Sequence, residues 1–381
     1  MIDPPSLVDQ YCHGVLRTEL GLGTFEAQLA RTEGPPAPGT TLFDTQTGFA
    51  VRRWCPPLLG LEPHCPPARY LARRRELGVA ETGRRLLRAS GITTYLVDTG
   101  LPGDLTGTAE LARAGAAEAH EIVRLEQLAE QVADTSGTVD SFLANLAESV
   151  HGAAAHAVAF TSVTGIRRGP APAPQPPGPG EVRGAAARWL AARRAGDELR
   201  DPVLLWHLLW IAVASGRPLQ LHTGPGAPGT RTGATDPALL SGFVRATAGL
   251  GTDLVLLHGY PDHRHAARLA GVYPHVYVDS GAALARTGAG AATVLAEVLD
   301  SAPFGKILFS SGAQALPELH VVGARLFREA LSRVLGGWVA EGAWALDDAQ
   351  RVAGMIASGN AGRVYGLKRG ENAGCADRSG T

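Results

Sequence analysis

The sequence predicts a (β/α)8 barrel, a TIM barrel, with a helical insertion after its first strand, and three observations carry that expectation. Eight short β-branched runs recur along the 381 residues, each followed by a longer Ala/Leu/Arg segment at helical spacing, the mark of repeated βα units. Most of these runs end in Gly, Thr, Ser or His, as a strand does when its C-terminal end opens into a loop. The chain also exceeds the roughly 250 residues of a plain barrel, which leaves room for insertions.

The strands are expected, in order, at "SLVDQYC", "TTYLVDTG", "EIVRLE", "AVAFTSVTG", "PLQLHTG", "LVLLHGY", "VYVDSG" and "KILFSSG". Together they make one unit over residues 1–370. The insertion, residues 16–88, holds the turn-rich "RTEGPPAPGTTLFDTQTG" and a helix over "RYLARRRELGVAETGRRLLRAS". An excursion of that length beside the first strand either caps the barrel mouth or forms a peripheral helical pair. The Pro-rich stretch 168–183 is too rich in Pro and Gly for regular structure and reads as a lid or as a tolerated surface insertion. Residues 371–381 read as a frayed, flexible tail.

A formal net charge of −1 and a pI near 6.9 provide no electrostatic case for binding nucleic acid or an anionic membrane, so a small-molecule substrate is the expected partner. No apolar run approaches membrane-spanning length, and "MIDPPSLVDQ" lacks the basic flank and apolar stretch of a signal peptide. The cytoplasm is therefore the expected compartment. Cys12, Cys55, Cys65 and Cys375 show no CxxC spacing and read as free thiols. The helix-rich exterior suits a homo-oligomer, although no stretch singles out an interface.

Side chains alternate along a strand, so Tyr11 and His13 are expected to share one side, the interior mouth of the barrel. His222 in "LQLHTG" and His258 in "LVLLHG" stand at equivalent strand ends. One strand-end His is more often a hydrogen-bonded structural residue than a base or ligand, but three on one rim favour chemistry. Further polar candidates at strand ends are Asp98, Arg124 with Glu126, Thr161, Thr164, Asp279 and Ser311. Asp98 and Asp279 either bind substrate or hydrogen-bond loop backbone. Arg124 and Glu126 share a face and read as an ion pair, while Arg167 either grips a substrate carboxylate in two-pronged fashion or is solvated.

These segments, with "YLARRRELG", "LVLLHGYPDHRHAARLAGVYPHVYVDSG" and "KILFSSGAQALPELHVVGARLFREAL", resemble the amidohydrolase superfamily. The likeness is to its amidohydrolase-related branch, which includes stand-alone proteins and domains joined to glutamine-synthetase-like ligases. The resemblance implies a His-x-His pair on the first strand, a His on the fifth and an Asp on the eighth, together holding a divalent metal that activates water. His13 and His222 match, whereas Tyr11 stands where the first His belongs and Gly312 where the Asp belongs. The resemblance makes His258 a substrate-contacting or transition-state-stabilising residue. Thr161 and Ser162 replace a Lys-Ser pair of the fourth strand, and no acidic residue follows the fifth strand near Ala227.

A catalytic zinc needs three protein ligands and an open position. His13 and His222 supply two, and a phenol of ordinary pKa near 10 is a poor third. The expectation is thus a degenerate metal site rebuilt around Tyr11, His13, His222 and His258 and lacking the ancestral metal, the alternative being one residual divalent ion such as zinc or manganese. The favoured activity is hydrolysis of an amide, lactone or ester of a small polar substrate by His/Tyr acid–base chemistry. A lyase, decarboxylase or cyclase of specialised metabolism is one alternative. A non-catalytic pseudoenzyme that binds a ligand or scaffolds a partner is another.

Overall fold

The computed structural model describes residues 2, 4, 6–30, 36–165, 172–224 and 235–367. Eight parallel strands succeed one another around a sheet: β1 (Leu7–Cys12), β2 (Ile92–Asp98), β3 (Glu118–Arg124), β4 (Ala159–Ser162), β5 (Leu219–His222), β6 (Leu254–Leu257), β7 (Val276–Asp279) and β8 (Ile307–Leu308). The ring closes through the segment that follows β8. Gln10 N donates to Phe309 O at 3.1 Å, Gly312 N to Tyr11 O at 3.1 Å and His13 N to Ala313 O at 2.8 Å. Parallel strands buried on both faces read as unbroken apolar runs, as β6 (LVLL) does, and β7 (VYVD) does up to its terminal Asp279.

Inside the barrel Val8, Tyr11, Leu96, Ile122, Ala159, Val255, Leu257, Tyr277 and Leu308 pack together. The lower end is plugged by the C-terminal helix. Tyr365 donates to Gln10 Oε1 at 2.6 Å and accepts from Gln220 Nε2 at 2.9 Å, which ties the C-terminal helix to β1 and β5 at the core's base. The long helix Pro317–Ala340 starts with proline at its first position, where the missing N–H costs nothing. Phe309 beyond β8 meets Phe327 of that helix, ring centroids 4.4 Å apart.

The insertion forms helices Leu22–Ala30, Gln46–Leu58, Pro67–Leu77 and Val79–Ser90. The single helix expected over "RYLARRRELGVAETGRRLLRAS" is two, broken at Gly78. With φ 76° and ψ 162°, Gly78 occupies a region open essentially to glycine alone. Helix Val79–Ser90 ends at Gly91 in the left-handed conformation and feeds directly into β2. Gln46–Leu58 packs against Pro317–Ala340 and Gly281–Thr287, so this part of the insertion lies along the β7–β8 flank.

By length and composition Gly281–Leu299 is apolar enough to cross a membrane, contrary to the expectation that no run approaches that length. In the barrel it is broken into helices Gly281–Thr287 and Ala291–Leu299 by a turn at Gly288, φ 52°. The expected strand "EIVRLE" starts earlier and ends at Arg124, with a helix beginning at Leu125.

Candidate functional site

The site is built first by an irregularity in β1. Strict alternation would send Asp9, Tyr11 and His13 to one face. Instead, the register against β2 shifts between Asp9 and Cys12, and both Gln10 and Tyr11 project into the barrel, since Gln10 joins Gln220 and Tyr365 there. Such a bulge re-aims a side chain at the cost of local ladder pairing. Tyr11 is 1% exposed and its ring stands in the middle of the mouth. Its centroid lies 5.2 Å from that of His13, 4.9 Å from His222 and 5.2 Å from His258, each edge to face. His222 and His258 are themselves 5.1 Å apart.

The phenol hydroxyl joins two strands. It donates to Asp98 Oδ2 at 2.8 Å and lies 3.1 Å from His13 Nε2. Asp98, the last residue of β2, is held on three sides: Arg124 Nη2 donates to Oδ2 at 2.6 Å, Arg124 Nε at 3.1 Å, and Gly100 N donates to Oδ1 at 2.8 Å. Burial works to raise the Asp98 carboxyl, but His13 and Arg124 outweigh it and hold the group below the usual Asp range. Burial likewise opposes the Arg124 charge and is outweighed by Asp98, so the guanidinium is raised.

His13 Nδ1 faces the Asp98 carbonyl oxygen at 2.9 Å. A carbonyl only accepts, so Nδ1 carries a proton. The tyrosine's single proton then serves either Asp98 or His13 Nε2. In the first case a charged His13 donates to the phenol oxygen, and in the second a neutral His13 accepts from it. The two arrangements differ by one proton.

On the opposite rim Asp279 ends β7 behind His258. Asp279 Oδ2 lies 3.6 Å from His258 Nδ1, and Oδ1 accepts Gly281 N at 3.1 Å. His258 itself is held at φ 60°, a left-handed backbone that few residues other than glycine adopt, histidine more often than most. Thr161 of β4 is 0% exposed, and its hydroxyl has no hydrogen-bond partner among the described residues. Gly312 has φ 57°, and a Cβ there would lie 2.7 Å from Ala282 Cβ and 3.3 Å from His258 Cε1.

Tyr11, His13, His222 and His258 are therefore gathered at one end of the barrel. Asp98 and Asp279 stand beside them, 1% and 3% exposed, in contact with the Tyr11 hydroxyl and the His258 amide. The expected Arg124–Glu126 ion pair does not form: Arg124 pairs with Asp98, and Glu126 instead accepts from Ser162 Oγ, Val163 N and Thr164 Oγ1 at 2.6, 2.9 and 3.0 Å. The helix starting at Leu125 turns the two side chains apart. Ser311 points away from the mouth toward Asp9. Arg167, Ala227, residues 168–171 of the Pro-rich stretch and residues 371–381 lie outside the described residues. The stretch expected to lack regular structure ends in the first turns of helix Pro179–Ala192, where proline stands at the first position. Arg124 belongs to the site more intimately than a strand-end position indicates, and no local signal in "EIVRLE" tells which carboxylate it meets.

Fold and site together define a (β/α)8 barrel with its polar groups at the C-terminal strand ends, the arrangement of barrel enzymes. Residues 87–367 match the family described as Amidohydrolase, and the chain belongs to that family. Over 153 residues it is 35% identical to protein fluG of Emericella nidulans, a match covering 40% of this chain and 18% of fluG. A Lactobacillus casei structure designated a metal-dependent hydrolase superposes with a TM-score of 0.82 over 96% of both chains at 23% identity. Glucuronate isomerase of Caulobacter crescentus gives 0.62 at 14% identity, covering 97% of this chain and 93% of its own. At these identities the structural likeness speaks for the fold alone.

Proposed function

We propose that this amidohydrolase-family protein is an enzyme that hydrolyses an amide, lactone or ester of a small polar substrate, using histidine and tyrosine in place of the ancestral metal. The observation that carries the reading is the position of Tyr11. Its ring fills the space among three imidazoles, and its hydroxyl is committed to Asp98 and His13. The donors do not fit a one-metal centre. Gly312 offers no ligand atom, and the sets of three His/Cys/Asp/Glu donors lying within 4.8 Å of one another among the described residues include none of His13, His222 and His258.

In this reading His222 takes the proton from water, because a neutral imidazole titrates near working pH. His258, with Asp279 behind its Nδ1, offers a proton to the oxygen on which charge develops, while the Tyr11 proton is held between Asp98 and His13. Asp98, kept ionised by Arg124, fixes the tyrosine and lets His13 exchange a proton with it. Thr161 and Arg167 are the remaining candidates for holding the substrate.

The test combines turnover with metal analysis. Wild-type protein is expected to hydrolyse members of a panel of chromogenic esters, lactones and anilides, and His222→Ala to lose about 100-fold or more in kcat with the fold intact by circular dichroism. No zinc or manganese that His13→Ala removes is expected. A stoichiometric ion dependent on His13 would overturn the metal-free reading. Turnover unchanged in His222→Ala and His258→Ala would overturn the histidine mechanism, whereas no wild-type turnover, with ligand binding that survives all three His→Ala changes, would make the barrel a scaffold.

A further inference from the structure

Metal-ligating side chains also gather on the outer side of β1. The register shift that turns Gln10 and Tyr11 inward leaves Asp9 and Cys12 against helix Pro317–Ala340, where His320 meets them. Asp9, Cys12 and His320 are each 0% exposed, and one donor atom from each lies within 4.8 Å of the other two. Neither ring nitrogen of His320 has a hydrogen-bond partner among the described residues. Tyr95 packs edge to face on that ring, centroids 5.5 Å apart. An imidazole sealed from water with both nitrogens unmet is costly and calls for a partner.

The spacing indicates what kind of partner. His320 Nδ1 stands 3.6 Å from Asp9 Oδ2, too far for a good hydrogen bond. Two ligand atoms bound about 2.0–2.1 Å from one tetrahedral ion are separated by about 3.4 Å, so the gap suits a shared ion better. Among the described residues Asp9 has no Lys or Arg within ion-pair distance. A carboxylate, a thiolate and a neutral imidazole sum to two negative charges, which one divalent cation cancels. The mixed sulfur, nitrogen and oxygen set favours zinc over calcium or magnesium.

We propose that Asp9, Cys12 and His320 form a buried zinc site that staples β1 to helix Pro317–Ala340. Binding releases the Cys12 thiol proton to solvent. Ser311, whose hydroxyl donates to Asp9 Oδ2 at 2.5 Å, provides a further oxygen at the cluster. The site is separate from the barrel mouth: it holds β1 from behind while Tyr11 and His13 face forward. Its role is to fix the strand that carries them.

Protein from zinc-supplemented culture is the material for the test. About one zinc per chain is expected, falling below about a tenth in Cys12→Ala and in His320→Ala while His13→Ala and His222→Ala leave it unchanged. Zinc X-ray absorption of the wild type is expected to show one sulfur in the ion's coordination sphere, a readout that stands even if the variants fail to fold. Exchange with cadmium should give a thiolate-to-cadmium ultraviolet band that Cys12→Ala lacks. Zinc-free wild-type protein, or zinc without a sulfur ligand, would overturn the proposal and leave a buried Asp–His pair. Zinc that His13→Ala removes would overturn the metal-free reading of the mouth instead.

Discussion

Asp98 carries more of the site's electrostatics than any other residue, because it meets Tyr11, Arg124 and the Gly100 amide at once. Removing the phenol oxygen deletes a proton carrier while the ring continues to fill the mouth. Tyr11→Phe is therefore expected to lower kcat by about 100-fold and to cost about 1–3 kcal/mol of stability, because buried Asp98 and His13 lose a partner, read by steady-state kinetics and calorimetry. Asp98→Asn should be different, since it leaves the Arg124 cation buried without its counter-charge, at about 3 kcal/mol in urea unfolding. The pH sign follows from the direction of the shift. The folded carboxyl lies below its unfolded value, so its contribution is full above about pH 4 and is lost as pH falls through the depressed folded pKa. Asp98→Asn should flatten the acid limb of the stability profile, and an acid limb as steep as wild type's would contradict this account.

At the level of elements, the segment after β8 has no room for an aspartate at position 312 without rearrangement. Gly312 is left-handed and its missing Cβ is opposed by Ala282 at 2.7 Å. Gly312→Asp should cost about 1–3 kcal/mol from overpacking alone and restore no ion at the mouth, checked by thermal unfolding and elemental analysis. The break at Gly78 is a comparable case: apolar spacing continues through it, yet the backbone turns because only glycine enters that conformation readily.

Across the whole molecule, the insertion is tied to the barrel by a buried charged cluster. Glu318, in the first turn of Pro317–Ala340, accepts from Tyr70 at 2.7 Å and pairs with Arg74 at 2.8 Å. Burial first, then the charge of Glu318, pushes Tyr70 well above its ordinary pKa, so the phenol remains a donor. The Arg74 guanidinium also lies 5.2 Å from the Phe25 ring centroid, joining helices Leu22–Ala30 and Pro67–Leu77 to the barrel. Glu318→Gln should destabilise by about 3 kcal/mol, and the double variant Arg74→Met/Glu318→Leu should recover most of that loss in urea titrations. A double variant no better than the sum of its parts would show that the cluster does not act as a unit.

The sequence by itself determined the eight-stranded barrel and the histidines at the ends of three strands. Periods of two and of 3.6 residues are local signals, as is the residue type that ends a strand. It did not determine which side of β1 Asp9 and Gln10 take, because a bulge depends on pairing with β2 some 80 residues away. Nor did it show that Arg124 would choose Asp98 over Glu126, two positions along. That choice rests on where one strand stops and a helix begins, and on which carboxylate the neighbouring strand presents. Alternation read from the chain would have turned Asp9 inward, whereas the assembled barrel puts it behind the strand, beside Cys12 and His320.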